Sequence, residues 1–252
     1  MKGMVGMKFK NNALLLMGET AAFGWFILRG ISFVAILPLP FLGWLYYKGM
    51  KRLSVAPIAL NGITLLFSLF IGSELLSQGL FQGEGKAALL LLIPAVGLLA
   101  EGICKKELLR ISRWWAIAFA AVFLLMMLGG LPEIRLQRSL PPIGHWWEIL
   151  LFYLLAFLEP FSLGRSYDSA PISLSLFLIP FGIVAWLTLG TGAFSAAEYP
   201  YLSVWSGVAF LSVRHIEGII LGFFYGAIAL RCAEFFVNFS QNRCIGKENM
   251  VK

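Results

Sequence analysis

Glu148, Glu159, Arg214 and Glu217 are the residues of this chain best placed to do chemistry, because each stands in or against a long apolar run. An ionisable side chain in hydrocarbon costs several kcal/mol and persists only with a partner or a function. Glu148 opens the segment His145-Trp146-Trp147-Glu148-Ile149-Leu150. As a carboxylate at a helix N-terminus it gains about 0.3–1 kcal/mol from the helix dipole. As a site residue it would face a water-filled vestibule and bind an amine or a proton. Glu159 is followed by Pro160, which removes a helical hydrogen bond and bares a carbonyl beside the carboxylate. Broken helices with polar groups at the break build the midplane sites of many transporters. The competing reading is a Glu159 that snorkels towards the near end of its span and pairs with Arg165. Arg214-His215-Ile216-Glu217 begins the last apolar run. Arg214 and Glu217 are three apart and can pair on one helix face, either neutralising a helix start or gating the outer face.

The elements that position these residues are membrane-length. The 252 residues are 59% hydrophobic and only 13% charged, with a mean hydropathy of +0.82. A soluble domain of this size needs far more charged surface. At roughly 20 residues per crossing the chain reads as one polytopic membrane domain over 1–252, with spans near 12–28, 31–47, 55–78, 87–104, 112–131, 146–164, 172–194 and 214–237. Residues 13–47 are too long for one helix and turn at Arg29–Gly30; the alternative is a single tilted span over 22–47, giving seven helices instead of eight. Glu19 and Arg29 would pair across that first hairpin, and Glu74 and Glu101 sit close to span ends in structural roles. The stretch Ser195–Val213 is too aromatic for an ordinary loop and reads as a helix lying on or dipping into the outer face.

Orientation follows from the basic residues. Lys48, Lys51, Arg52, Lys105, Lys106, Arg110, Arg113, Arg165, Arg243, Lys247 and Lys252 fall on one side, against Lys86, Arg135 and Arg138 on the other. The richer side is cytoplasmic, and Lys2, Lys8 and Lys10 join it in an eight-span arrangement with a cytoplasmic C-terminus. The net charge of +7 lies in these inter-span clusters and implies no nucleic-acid partner. Cys104, Cys232 and Cys244 have no motif spacing and read as reduced thiols. No cleavable leader is expected, since the apolar run after Lys10 outlasts any signal-peptide core.

Motifs for enzyme chemistry are missing from the sequence. His145 and His215 are the two histidines, and Asp168 is the one aspartate. There is no HExxH, no glycine-rich loop ending in lysine, no CxxC and no Gly-x-Ser-x-Gly elbow. The expectation is a non-enzymatic protein with no cofactor and no metal.

From about residue 55 onward the order of features resembles the spore germination permease family, the B subunits of endospore germinant receptors in the amino acid–polyamine–organocation superfamily. The likeness is carried by Ala100-Glu101-Gly102 through Glu107-Leu108-Leu109-Arg110, by Gly129-Gly130-Leu131-Pro132 with Leu140-Pro141, by Trp147-Glu148-Ile149-Leu150, and by Glu198-Tyr199-Pro200 with His215-Ile216-Glu217. His215 departs from the family, which usually has arginine there. Family members have ten spans, so this chain would be an incomplete version of an all-α, five-plus-five inverted-repeat core with a shortened first span. The resemblance implies a multi-pass subunit of the spore inner membrane that assembles with other germinant receptor subunits and senses a small nutrient such as an amino acid. In that scheme Glu148 and Glu159 bind the ligand, and Arg214, His215 and Glu217 form the outer gate. The alternative is a non-transporting membrane scaffold that holds partner proteins through its helix faces.

Overall fold

The computed structural model describes residues 19–50, 58–80, 85–99, 105–130, 139–163, 169–207 and 217–250. Regular structure among them is entirely helical: α1 (Thr20–Arg29), α2 (Phe33–Ile36), α3 (Leu39–Met50), α4 (Ile58–Leu80), α5 (Lys86–Leu99), α6 (Lys105–Gly130), α7 (Trp146–Leu163), α8 (Ala170–Leu189), α9 (Thr191–Ala196), α10 (Pro200–Gly207) and α11 (Glu217–Met250). Four of these are long and apolar enough to cross a membrane, through Ala59–Gln78, Trp146–Leu163, Ala170–Leu189 and Gly218–Phe236. They point to a membrane location. The distribution of side chains agrees: Leu66, Leu91, Leu150 and Leu176 are exposed, whereas Glu19, Thr20, Ser68, Glu159 and Arg231 are buried. Polar groups turned inward and leucines turned outward suit a lipid surround.

The core is organised around α1. Every residue from Thr20 to Leu28 is buried, and the helix packs against α4, α7 and α11. Close approach depends on small residues, as it does wherever helices associate in lipid. A Cβ on Gly24 would stand 2.8 Å from both Ile71 and Phe224, so α4 and α11 meet α1 almost backbone to side chain at that point. Phe23 continues the contact, packing on Phe119, Phe123 and Phe224.

α1 stops because Gly30 adopts a left-handed conformation, φ 59°, and returns its N–H to the carbonyls of Phe26 and Ile27. That geometry is the ordinary glycine cap. Ser32 then caps α2 by accepting from the Val34 N–H, and α3 runs back along α8. The turn expected at Arg29–Gly30 is present, with residues 12–18 of the first expected span outside the described residues. The expected Glu19–Arg29 pair does not form. The two residues bracket a ten-residue helix, about 15 Å apart along its axis, and Arg29 lies beside Glu148 instead.

The aromatic stretch after α8 folds as α9 and α10, with 208–213 outside the described residues. It does more than lie flat on the bundle. Tyr201 is fully buried, stacks on Phe26 with ring centroids 4.5 Å apart, and donates its hydroxyl to the Ile31 carbonyl at 2.7 Å. Pro200 lies against the turn, where a Cβ on Gly30 would come within 2.5 Å of it.

Filling the α1–α4–α11 contact should be costly. Gly24→Val is expected to destabilise the detergent-purified protein by about 1–3 kcal/mol, the usual range for overpacking. Gly49→Ala, where a Cβ meets nothing within 4 Å, should leave the thermal midpoint unchanged or slightly raised.

Candidate functional site: a buried ion pair at a helix start

The first turn of any α-helix has N–H groups without intrahelical partners. At a surface, water or an N-cap side chain satisfies them. In α1 the N-cap side chain does not: Glu19 occupies the N-cap position but makes no capping bond. Glu159, from the far end of α7, supplies the acceptor. Its carboxylate receives the Ala21 N–H at 3.1 and 3.0 Å and the Ala22 N–H at 3.3 Å. A carboxylate there also gains from the positive end of the helix dipole.

Arg231 of α11 completes the site as a salt bridge to the same carboxylate, with both side chains essentially inaccessible. The guanidinium also donates to hydroxyls on two other helices. Nη1 reaches Thr20 at 2.8 Å and Ser68, and Nη2 reaches Thr64 at 2.8 Å. Hydroxyls accept and donate at once, and these relay the polarity onward. Thr20 donates to Glu159 Oε1 at 2.8 Å, and Ser162 donates to the Glu159 carbonyl at 2.7 Å. Thr64 and Ser162 share a 2.9 Å bond. Thr64 and Ser68 are four apart on α4, so both face the same neighbour.

The site therefore gathers groups from three of the membrane-length helices, α4, α7 and α11, and from the start of α1. Glu159 lies about 20 Å along α7 from its first residue, one helical turn before the end of the apolar segment Trp146–Leu163. Among the described residues, both Glu19 carboxylate oxygens and Arg231 Nε are buried here without hydrogen-bond partners.

The other sequence-derived residues fall elsewhere. Glu148 is about 16 Å from Glu159 along the same helix, so the two do not share a site. The Glu148 carboxylate stands 3.9 Å from Arg29 Nε, its side chain only 12% exposed, and its backbone carbonyl accepts from Trp25 Nε1 at 3.0 Å. Arg29 lies over the rings of Trp25 and Trp147 at 4.7 and 5.6 Å. An ion pair flanked by cation–π contacts fits the end of the bundle. Glu74 pairs with Lys86. Arg214, His215, Glu101 and Arg165 lie outside the described residues, as does the Glu217 side chain. Glu159 departs from the competing reading of it. It does not snorkel, being 0% exposed, and its counter-charge is Arg231, because the α7 face carrying it turns towards α1 and α4. Among the described residues no group of three or more His, Cys, Asp or Glu could hold a metal.

The sequence-derived set of charges lacks Arg231 and the hydroxyls of Thr20, Thr64, Ser68 and Ser162. The signal for Arg231 is present: a lone arginine inside Gly218–Phe236, in Leu230-Arg231-Cys232-Ala233. An unpaired arginine in an apolar span demands a partner. The Thr64/Ser68 spacing is weaker, since single hydroxyls in such helices commonly bond their own backbone.

Removing one member of a buried pair leaves the other uncompensated, at a cost of about 3–5 kcal/mol. Arg231→Met is expected to destabilise by that order in detergent unfolding. Adding Glu159→Gln, which keeps an acceptor for Ala21 and Ala22, should recover a large part of the loss. Strictly additive effects would show that the two residues do not act as a pair.

Neither a protein-family model, nor a curated protein, nor a solved structure matches this chain.

Proposed function

We propose that the chain is a permease-like, multi-pass membrane subunit that binds a small zwitterionic nutrient, an amino acid being the simplest case. The observation that carries this reading is the Glu159–Arg231 pair seated on the N-terminus of α1. Half-helix N-termini in the bundle interior are where transporters hold the carboxylate of a substrate. Here an internal carboxylate fills that place, opposite a guanidinium.

A zwitterion has the charges needed to enter such a pair. Its carboxylate would take the Ala21 and Ala22 N–H groups and Arg231. Its ammonium would take the released Glu159. Glu148 and Arg29 would stand near the entrance as an outer ion pair. The proposal includes eight spans, with α1 and α2–α3 as the first two, and the Lys/Arg-rich loops and the C-terminus on the cytoplasmic side. With the resemblance in its loops and span starts, it extends to a germinant receptor subunit of a spore inner membrane, working beside partner subunits.

Thermal stabilisation of the purified protein by a panel of amino acids and nucleosides tests the reading. A ligand at 100 times its Kd stabilises by about 2.7 kcal/mol, so even millimolar affinity is visible. The expected result is a shift for one or more amino acids that is abolished in Glu159→Gln. A well-folded protein that no zwitterion stabilises would instead support a scaffold that holds partner proteins.

A further inference from the structure

Glu19 is the buried charge-bearing residue that the ion pair does not use. It is 1% exposed, and among the described residues neither carboxylate oxygen has a hydrogen-bond partner. Such a group is intolerable as a bare anion in an apolar interior. It also stands where it could do what Glu159 does. Glu19 is the N-cap residue of α1, and an N-cap side chain normally accepts from the second and third N–H groups of its helix. In α1 these belong to Ala21 and Ala22, the two that Glu159 has taken. Arg231 donates to Thr20, the residue next to Glu19, and its Nε–H is a donor without a partner among the described residues.

We propose that Glu19 is a proton-binding site, and that Glu19 and Glu159 exchange one proton as they alternate as partner of Arg231 and as cap of α1. In the state described, Glu159 is the anion and Glu19 holds the proton. In the alternate state Arg231 turns its Nε edge to Glu19, which gives up its proton to become the anion and caps its own helix. Glu159 takes up one proton and becomes the neutral partner. Arg231 stays protonated throughout, one O–H bond breaks and one forms, and the three groups together carry zero net charge in both states.

On α11 the neighbours of Arg231 are Cys232, which is buried, and Glu234, a second carboxyl one helical turn further on. α7 contributes Glu159 and the Ser162 hydroxyl, and α4 contributes the hydroxyls of Thr64 and Ser68. The titratable group on α10 is Tyr201, which belongs to the opposite end of α1, at Ile31.

This inference deepens the permease-like reading and rests on it for the need to alternate. Its test reads the carboxyl groups themselves, so it passes or fails whether or not a nutrient binds. Infrared difference spectra of the full chain in liposomes report the carbonyl stretch of a protonated carboxyl. Wild type at neutral pH is expected to show such a band, protected from solvent deuterium, and Glu19→Gln should abolish it. Glu159→Gln should also abolish it, because Glu19 then ionises to balance Arg231. Survival of the band in Glu19→Gln would remove Glu19 as the proton holder. Survival in Glu159→Gln would show that Glu19 cannot take over Arg231, which overturns the exchange. Failure of Glu159→Gln to fold, where Glu19→Gln folds, overturns it equally.

Discussion

A carboxylate and a guanidinium held away from water depend on hydrogen bonds to their remaining lone pairs and protons. The Glu159–Arg231 pair obtains most of these by recruiting the start of α1 and hydroxyls from α1 and α4, and leaves the Arg231 Nε–H without a partner among the described residues. Much of the remaining architecture follows from this need. α1 must begin inside the bundle so that its first N–H groups face Glu159. It must be free of large side chains at Ala21, Ala22 and Gly24 so that α4, α7 and α11 can close around it. It must also end early, at Gly30, so that α3 can return along α8.

The two ends of α1 carry different chemistry. The deep end is a closed network with almost no solvent. The other end has Arg29 between two tryptophan rings and opposite Glu148, with Arg29 44% exposed. A partly hydrated pair of this kind contributes little stability on its own. It suits a position open to water. The layer formed by α9 and α10 joins this end to the turn through Tyr201 and Pro200.

The sequence reveals the class of fold because hydropathy over twenty residues is a local property. It also reveals the turn at Arg29–Gly30 and the importance of Glu159-Pro160. It hides the partner of Glu159, because the network joins residues as far apart as Thr20 and Arg231, separated by 211 positions. Proximity along the chain suggests Arg165 for Glu159 and Arg29 for Glu19. Glu159 pairs with Arg231, Arg165 lies outside the described residues, and Glu19 and Arg29 stand at opposite ends of α1. A helix face is chosen by what packs on it, and α7 turns Glu159 to α1 rather than towards its own end. Tyr201 is legible in the same limited way: its stretch is recognisably unlike a loop, but its hydrogen bond to Ile31 depends on how α10 settles over α1.

That separation of 211 positions has a consequence for the order in which the protein is made. At synthesis rates of about 5–20 residues per second, some 10–40 seconds pass between the emergence of Thr20 and that of Arg231. Through that interval the start of α1 and the Glu159 carboxylate have no guanidinium to close on. The early helices must therefore wait in the insertion machinery, at the headgroup level or in provisional pairings. The buried ion pair at the start of α1 can close only after α11 has been made.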